Sequence, residues 1–391
     1  MRILQVVEPG VDGVFRHVEG LSRYLLEQGD ELALAYSSRR GSDRLEALVR
    51  EIRERGFPAV DLHVRSMPGP GDGPALVRLW RLIRDFRPEI VHAHSSKAGG
   101  LVRILRGVLP WVPVFYTPNA YYGMGRRATV ASRLFHMVER LLGRVGTTIH
   151  VSTDEADWAR TELGLPAARS VLIHNGVDTT KFVPGDPSTR LAWRRKLDIP
   201  DSALVLGTIG RLSAQKDPVT LYRGVAPSLR EVSELYLCQI ANGDPEEIAR
   251  LEALAAELGI SAKIRRLTYL ADVLPFYQGI DAFILTSRYE GLSYAVLEAL
   301  ACDLPVLLTD VPGNREFTRF GLSHAWFAPA GEIEPVGGMV SRWLKDRPGE
   351  RPKNHREIAV AQFDLWNTCG RIRALYERSL QGGGDSGSQP G

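Results

Sequence analysis

Two acids and two cations, each pair following an apolar run, carry the most chemistry in this 391-residue chain. The acids are Glu290 and Glu298, the first in Tyr289-Glu290-Gly291-Leu292-Ser293-Tyr294. Glycine after a glutamate lets the backbone approach a ligand closely, and Ser293 is placed to cap a helix beginning beside it. Glu298 falls inside that helix among apolar neighbours, where a carboxylate is costly unless a partner such as a ribose diol hydrogen-bonds to it. The plain alternative is a partly exposed helical glutamate. The cations are Arg211 and Lys216, in Gly210-Arg211-Leu212-Ser213-Ala214-Gln215-Lys216. On a loop that ends a strand and opens a helix they suit a diphosphate, although most arginines and lysines are simply solvated.

Such residues need strands ending just before them, and the sequence supplies two series of short β-branched runs alternating with amphipathic stretches. The first predicts strands at 3–7, 31–36, 60–64, 90–92, 112–116, 148–151 and 170–173; the second at 204–209, 235–240, 263–267, 282–285, 305–308 and 324–327. Between them lie helical patterns such as 15–28, where Val18, Leu21, Leu25 and Leu26 share a face and Gly29 supplies a stop. Alternating βαβ units imply parallel α/β sheets, with ligands beyond the carboxyl ends of the strands. The turn-rich stretch 184–187 reads as an interdomain linker. The expected organisation is therefore a first Rossmann-like domain over 1–180, a second over 181–362, a helix over 363–380 that packs back on the first domain, and a disordered tail over 381–391.

The paired glutamates with glycine after the first resemble the Glu-seven residues-Glu motif of glycosyltransferase family 4. Gly210, Arg211 and Lys216, then Gly243, Asn175-Gly176-Val177-Asp178 and Val91-His92-Ala93-His94-Ser95 stand in the family's order, so the resemblance spans about residues 2 to 380. It implies a GT-B fold, two Rossmann-like domains facing across a cleft, and a retaining, metal-independent hexosyltransferase that takes its sugar from a nucleotide. Arg211 and Lys216 match the pair that holds the donor diphosphate, Glu290 the glutamate facing the transferred sugar, and Glu298 the ribose-binding one. Gly291, Leu292 and Ser293 would offer backbone amides to the donor; Gly13, Gly210, Gly243, Tyr269 and Leu270 complete the implied donor set. His94, Asp12 and Tyr121 stand on the acceptor side. Asn119 occupies a catalytic position where the family usually carries histidine, and an amide donates hydrogen bonds without titrating near neutral pH. Its role is then polar only, or His94 or another group substitutes. Asp12 replaces a common second glycine of the phosphate-side loop.

Composition bounds the rest. With 44% hydrophobic and 24% charged residues the chain can bury two cores. Three cysteines far apart support neither a disulfide framework nor a clustered zinc site. No cofactor or metal is expected, since no pair of aspartates flanking one residue accompanies the motif. No long apolar run predicts a span or a signal peptide, which points to a cytoplasmic chain, soluble or peripheral on the inner leaflet. Between Lys97 and Arg144 there are eight basic residues against one acid, Glu139. The segment 126–145 carries Leu134, Val138, Leu141, Leu142 and Val145 at helical spacing beside Arg133, Arg140 and Arg144, with Arg78, Arg81, Arg84 and Arg87 forming a second basic ridge. Such a face suits an anionic membrane and a polyprenyl-diphosphate-linked or other saccharide acceptor in surface-polysaccharide synthesis, while an ordinary core helix with a solvated edge explains the stripe equally well. No nucleic-acid module accompanies the charge.

A UDP-sugar donor is preferred and GDP-mannose is an alternative. Competing readings are a sugar-nucleotide epimerase or a pyridoxal-phosphate phosphorylase of related fold, or an inert nucleotide-sugar-binding relative. Gly10-Val11-Asp12-Gly13 lacks the three spaced glycines of a dinucleotide fingerprint, which disfavours a dehydrogenase.

Overall fold

A computed structural model describes residues 1–107, 112–124, 130–268, 270–346, 351–352 and 354–381. Expectations for Tyr269, Arg126, Arg127, the side chains of Asp12 and Leu134, and the tail beyond Gln381 lie outside what it describes. Two compact units emerge, residues 1–176 with 365 onward, and residues 177–364.

In the first unit a 7-stranded parallel sheet runs β3-β2-β1-β4-β5-β6-β7. Its strands are β1 (Arg2–Val7), β2 (Glu31–Tyr36), β3 (Ala59–Asp61), β4 (Ile90–His94), β5 (Val114–Thr117), β6 (Thr147–His150) and β7 (Ser170–Leu172). The connecting helices are α1 (Asp12–Glu27), α2 (Asp43–Glu54), α3 (Asp72–Phe86), α4 (Ser96–Leu105), α5 (Val130–Leu142) and α6 (Thr153–Glu162). One core packs α3, α4 and α6 on the sheet, and another packs α1, α2 and the C-terminal helix. With both faces covered, the strands read as apolar runs rather than alternations.

The second unit holds a 6-stranded sheet, β10-β9-β8-β11-β12-β13. It comprises β8 (Leu204–Ile209), β9 (Leu235–Ile240), β10 (Ile264–Leu267), β11 (Ala282–Leu285), β12 (Val306–Thr309) and β13 (Ala325–Ala328). Its helices are α7 (Pro187–Arg195), α8 (Pro218–Glu231), α9 (Pro245–Glu257), α10 (Leu274–Gly279), α11 (Tyr294–Ala301), α12 (Ile333–Lys345) and α13 (His355–Phe363). The last helix, α14 (Leu365–Gln381), belongs to the first unit.

Three local readings change. The strand expected at 60–64 stops at Asp61, because His63 takes a positive φ of 54° while Leu62 and Val64 turn into the core. The stretch 184–187 is built into the second unit: Asp186 caps α7 by accepting from Thr189 N–H at 2.8 Å, and a Cβ on Gly185 would lie 2.6 Å from Gln278 Cβ. The helix expected over 363–380 is two helices broken at Asp364, which takes extended backbone (ψ 134°), bridges to Val177 and accepts from Thr179 Oγ1 at 2.6 Å. Beyond the break α14 packs on α1. Leu365 Cδ1 would lie 2.9 Å from a Cβ on Gly20, and Arg373 Nε bonds Asp30 Oδ2 at 2.8 Å.

Candidate active site

In the second unit the cation loop and the glutamate loop are tied together at the carboxyl edge of the sheet. Arg288 N–H donates to Gln215 O at 2.7 Å, Gln215 Nε2 to Tyr289 O at 3.1 Å, and Thr286 Oγ1 to Lys216 O at 3.1 Å. Asp217, in left-handed backbone (φ 48°), caps α8 and pairs with Arg288 at 2.8 Å. The result is a short ion pair between Lys216 Nζ and Glu290 Oε1, 2.6 Å apart, with Ser287 Oγ donating to the same oxygen at 2.6 Å. Glu290 is buried, whereas the Lys216 side chain keeps 24% of its exposure. Arg211 lies exposed on the same loop.

Gly291, Leu292 and Ser293 lead from Glu290 into α11. Ser293 occupies the N-cap position but makes no side-chain capping hydrogen bond, contrary to expectation. A helix entered this way presents backbone N–H groups and the positive end of its dipole, the arrangement that binds phosphate. Glu298 lies buried inside α11, and the Tyr277 hydroxyl donates to its Oε2 at 2.7 Å, supplying a partner that offsets the cost of burying the carboxylate. Gly210 begins the cation loop under the Lys216 stem. Gly243 has a packing reason of its own, since a Cβ there would lie 2.7 Å from Leu212 Cβ. Leu270 is half-buried between β10 and α10.

Ser287, Asp217, Tyr277 and Gly313 were not legible beforehand. Gly313 (φ 84°) lets the Pro312 turn close on the glutamate loop, where a Cβ would lie 2.6 Å from Glu290 O, and Glu290 N–H donates to Pro312 O at 3.1 Å. The Pro312-Gly313 pair shortly after β12 is the signal that could have found it.

The acceptor side differs more. Gly13 sits in the first turn of α1, whose N-cap, Val11, offers no side-chain bond. His94 is fully buried: its Nε2 contacts Gln5 Oε1 at 2.5 Å, and its ring lies 4.0 Å from that of His92 and 5.2 Å from that of His17. Burial among other imidazoles holds His92 and His94 well below the ordinary range and pushes His17 down to about 4. His94 thus sits inside the first unit among other imidazoles, with its Nδ1 buried and without a hydrogen-bond partner. Tyr121, 2% exposed, packs in the first-unit core with its hydroxyl 3.1 Å from His150 Nε2.

Asn119 differs from these two in its backbone and in the state of its amide. It and Ala120 take positive φ of 54° and 82°, and Ser95, on the neighbouring strand end, takes 79°. Left-handed backbone at a non-glycine residue costs about 1–3 kcal/mol where nothing local relieves it. Both amide atoms of Asn119 are shielded from solvent and have no hydrogen-bond partner. Buried polar atoms of this kind are uncommon and call for an explanation such as a ligand.

The basic stretch also resolves into two kinds of residue. Lys97 and Arg103 are buried in ion pairs with Asp72 (2.6 Å) and Glu139 (2.9 Å). Arg133, Arg140 and Arg144 are exposed beside Met137 (51%), Val138 (37%) and Leu141 (71%) on α5. The neighbouring helix α4 exposes Ile104 (54%), and α3 exposes Val77 (48%) and Trp80 (38%). Val138 and Leu141 are therefore surface positions, not the core stripe that was the plainer reading of this helix. No helix among the described residues is long and apolar enough to cross a membrane.

Comparison with known proteins defines the class. The model described as Glycosyltransferase Family 4 matches residues 11–181, and that described as Glycosyl transferases group 1 matches residues 189–361. D-inositol 3-phosphate glycosyltransferases of Geodermatophilus obscurus and Corynebacterium urealyticum are each 30% identical, over 60% and 75% of this chain. The chain spans 55% of the first relative's length and 72% of the second's. A GDP-mannose-dependent alpha-mannosyltransferase of Mycobacterium tuberculosis is 29% identical over 94% of this chain and 93% of its own. The crystal structure of Anabaena Alr3699/HepE in complex with UDP and glucose shares the fold, with a TM-score of 0.80 at 17% identity, covering 96% of this chain and 99% of that one. Fold and matches place the chain among the GT-B glycosyltransferases. Within that class it belongs to glycosyltransferase family 4.

Proposed function

We propose that this glycosyltransferase moves a hexose, with retention, from a nucleotide sugar to a saccharide or polyprenyl-diphosphate-linked saccharide in surface-polysaccharide synthesis. The observation that carries the reading is the Lys216–Glu290 contact beside the side-chain-uncapped start of α11. Transfer breaks the bond from the anomeric carbon to the diphosphate, whose oxygen keeps the electron pair, and forms a bond to an acceptor hydroxyl, whose proton passes to the departing phosphate oxygen. Lys216, Arg211 and the first turn of α11 stabilise the departing charge without a divalent ion, because donors fixed in advance need no reorganisation. Glu290 faces the sugar, and Glu298 takes the ribose. UDP-sugars are the preferred donors: the UDP and glucose seen with the Anabaena protein support this, and the mannosyltransferase relative makes GDP-mannose the second choice. A thermal-shift panel of nucleotide sugars tests the reading. A donor at a hundred times its Kd adds about 2.7 kcal/mol of stability, and mass spectrometry then identifies the product. Absence of stabilisation by every nucleotide sugar would refute it.

The exposed apolar and arginine positions of α3, α4 and α5 support a peripheral place on the anionic cytoplasmic leaflet, where a lipid-linked acceptor is presented. In liposome flotation at low salt, the protein is expected to rise with vesicles containing anionic lipid and to remain below with neutral ones. Leu141→Asp should weaken that association several-fold; equal flotation with both vesicle types would count against it.

A further inference from the structure

We infer that Glu155 is a positioning residue that holds the Asn119–Ala120 turn in its left-handed conformation and so aims the Asn119 amide at the bound ligand. The inference rests on the proposed transferase reading and adds a residue to it. Glu155 is fully buried, three residues after the N-cap Ser152, which accepts from Glu155 N–H at 3.2 Å. Serine at the cap and glutamate at this position ordinarily form a reciprocal box, the carboxylate returning to the N-cap amide. Here the carboxylate goes elsewhere. Its Oε2 accepts from Val151 N–H at 2.8 Å, and its Oε1 reaches 35 residues back along the chain to accept from Ala120 N–H at 2.6 Å.

Helix capping alone gives no reason for the second bond. The turn it reaches carries two consecutive non-glycine residues with positive φ and an asparagine whose amide atoms have no partner inside the protein. Alanine in that backbone region has no side-chain group to stabilise it, so the bond its N–H donates to the Glu155 carboxyl, which burial pushes up to about 7, is what keeps the turn in place. The unpartnered amide of Asn119 then supplies both a donor and an acceptor, which suits the hydroxyls of a sugar.

A double-mutant cycle on the full-length protein tests this. Glu155→Ala is expected to lower kcat for transfer at least about tenfold while leaving donor KM within about twofold, since the turn affects alignment more than uniform binding. Asn119→Ala should show a loss of similar kind, and the double variant should be no slower than Asn119→Ala alone. Ser152→Ala, which removes the α6 cap and spares Ala120, should lower Tm while keeping kcat within about twofold. Multiplying effects in the cycle, or an equal loss of kcat in Ser152→Ala, would overturn the inference. Should Glu155→Ala not fold, Glu155→Gln serves: it cannot accept from both N–H groups, so kcat should fall with Asn119-dependent non-additivity. Amide exchange separates this idea from the transferase reading. If wild-type protein transfers no sugar from any donor, that reading fails, while faster exchange at Ala120 N–H in the Glu155 variant, with first-unit core amides unchanged, still supports the positioning role. Unchanged exchange at Ala120 overturns it.

Discussion

Glu290→Ala is expected to lower kcat for sugar transfer by about 10²- to 10³-fold, the size of the loss when one preorganised hydrogen-bonding group is removed from a site of transition-state charge. Fold and Tm should change little by comparison. Lys216 keeps a quarter of its side chain in solvent and can reorient into water, so only the Ser287 hydroxyl loses a buried acceptor. The change should therefore appear in turnover rather than in far-UV circular dichroism. Glu290→Gln refines the test, because the amide oxygen can still accept from Ser287 and Lys216 while the negative charge is gone. A rate for Glu290→Ala equal to wild type would remove the second-unit edge from consideration as the reacting centre.

The largest stability effect is expected far from that edge. Asp281 is buried and accepts from three donors: Arg190 Nη2 at 2.5 Å, Arg194 Nη2 at 2.6 Å and the backbone N–H of Val205 at 2.8 Å. Arg194 is wholly buried and also donates to Gly279 O, Ala203 O and Asp201 O, so one side chain ties α7 to the start of β8 and the end of α10. Burial lowers the Arg194 guanidinium from its usual range, and Asp281 opposes the shift. Asp281→Ala would leave that guanidinium buried without its counter-charge and should cost about 3–5 kcal/mol. Urea unfolding monitored at the tryptophans would show this as a lowered midpoint, and a change below about 1 kcal/mol would refute the network's role. Arg195–Asp201, just as close at 2.7 Å but exposed at 68% and 45%, should contribute little, because solvent screens it.

Much of the scaffold was legible in advance. Strands at 31–36, 204–209, 235–240 and 282–285 fall at the expected residues, because a strand buried on both faces declares itself as an unbroken apolar run whatever surrounds it. The cation and glutamate loops were legible for a related reason: each follows such a run directly, and the carboxyl end of a parallel strand is where ligands meet backbone N–H groups. The acceptor side was harder. His94 and Tyr121 stand at equally promising positions in sequence, yet both point into packed interior. Arg103 reads as part of a basic face and is in fact the buried partner of Glu139, 36 residues away.

Sequence alone determined the two alternating series, the parallel α/β class, and the two separate loops that carry Arg211 with Lys216 and Glu290 with Glu298, since each of these depends on neighbours within a few residues. Tertiary structure alone decided which polar side chains stay at the surface and which become core. His92 meets Tyr376 across 284 residues, Glu155 meets Ala120 across 35, and Lys216 meets Glu290 across 74. A hydrophobic period reports the side of an element that is buried. It carries no information about which distant strand end will supply a polar partner there, because that partner is fixed only when the sheet order closes.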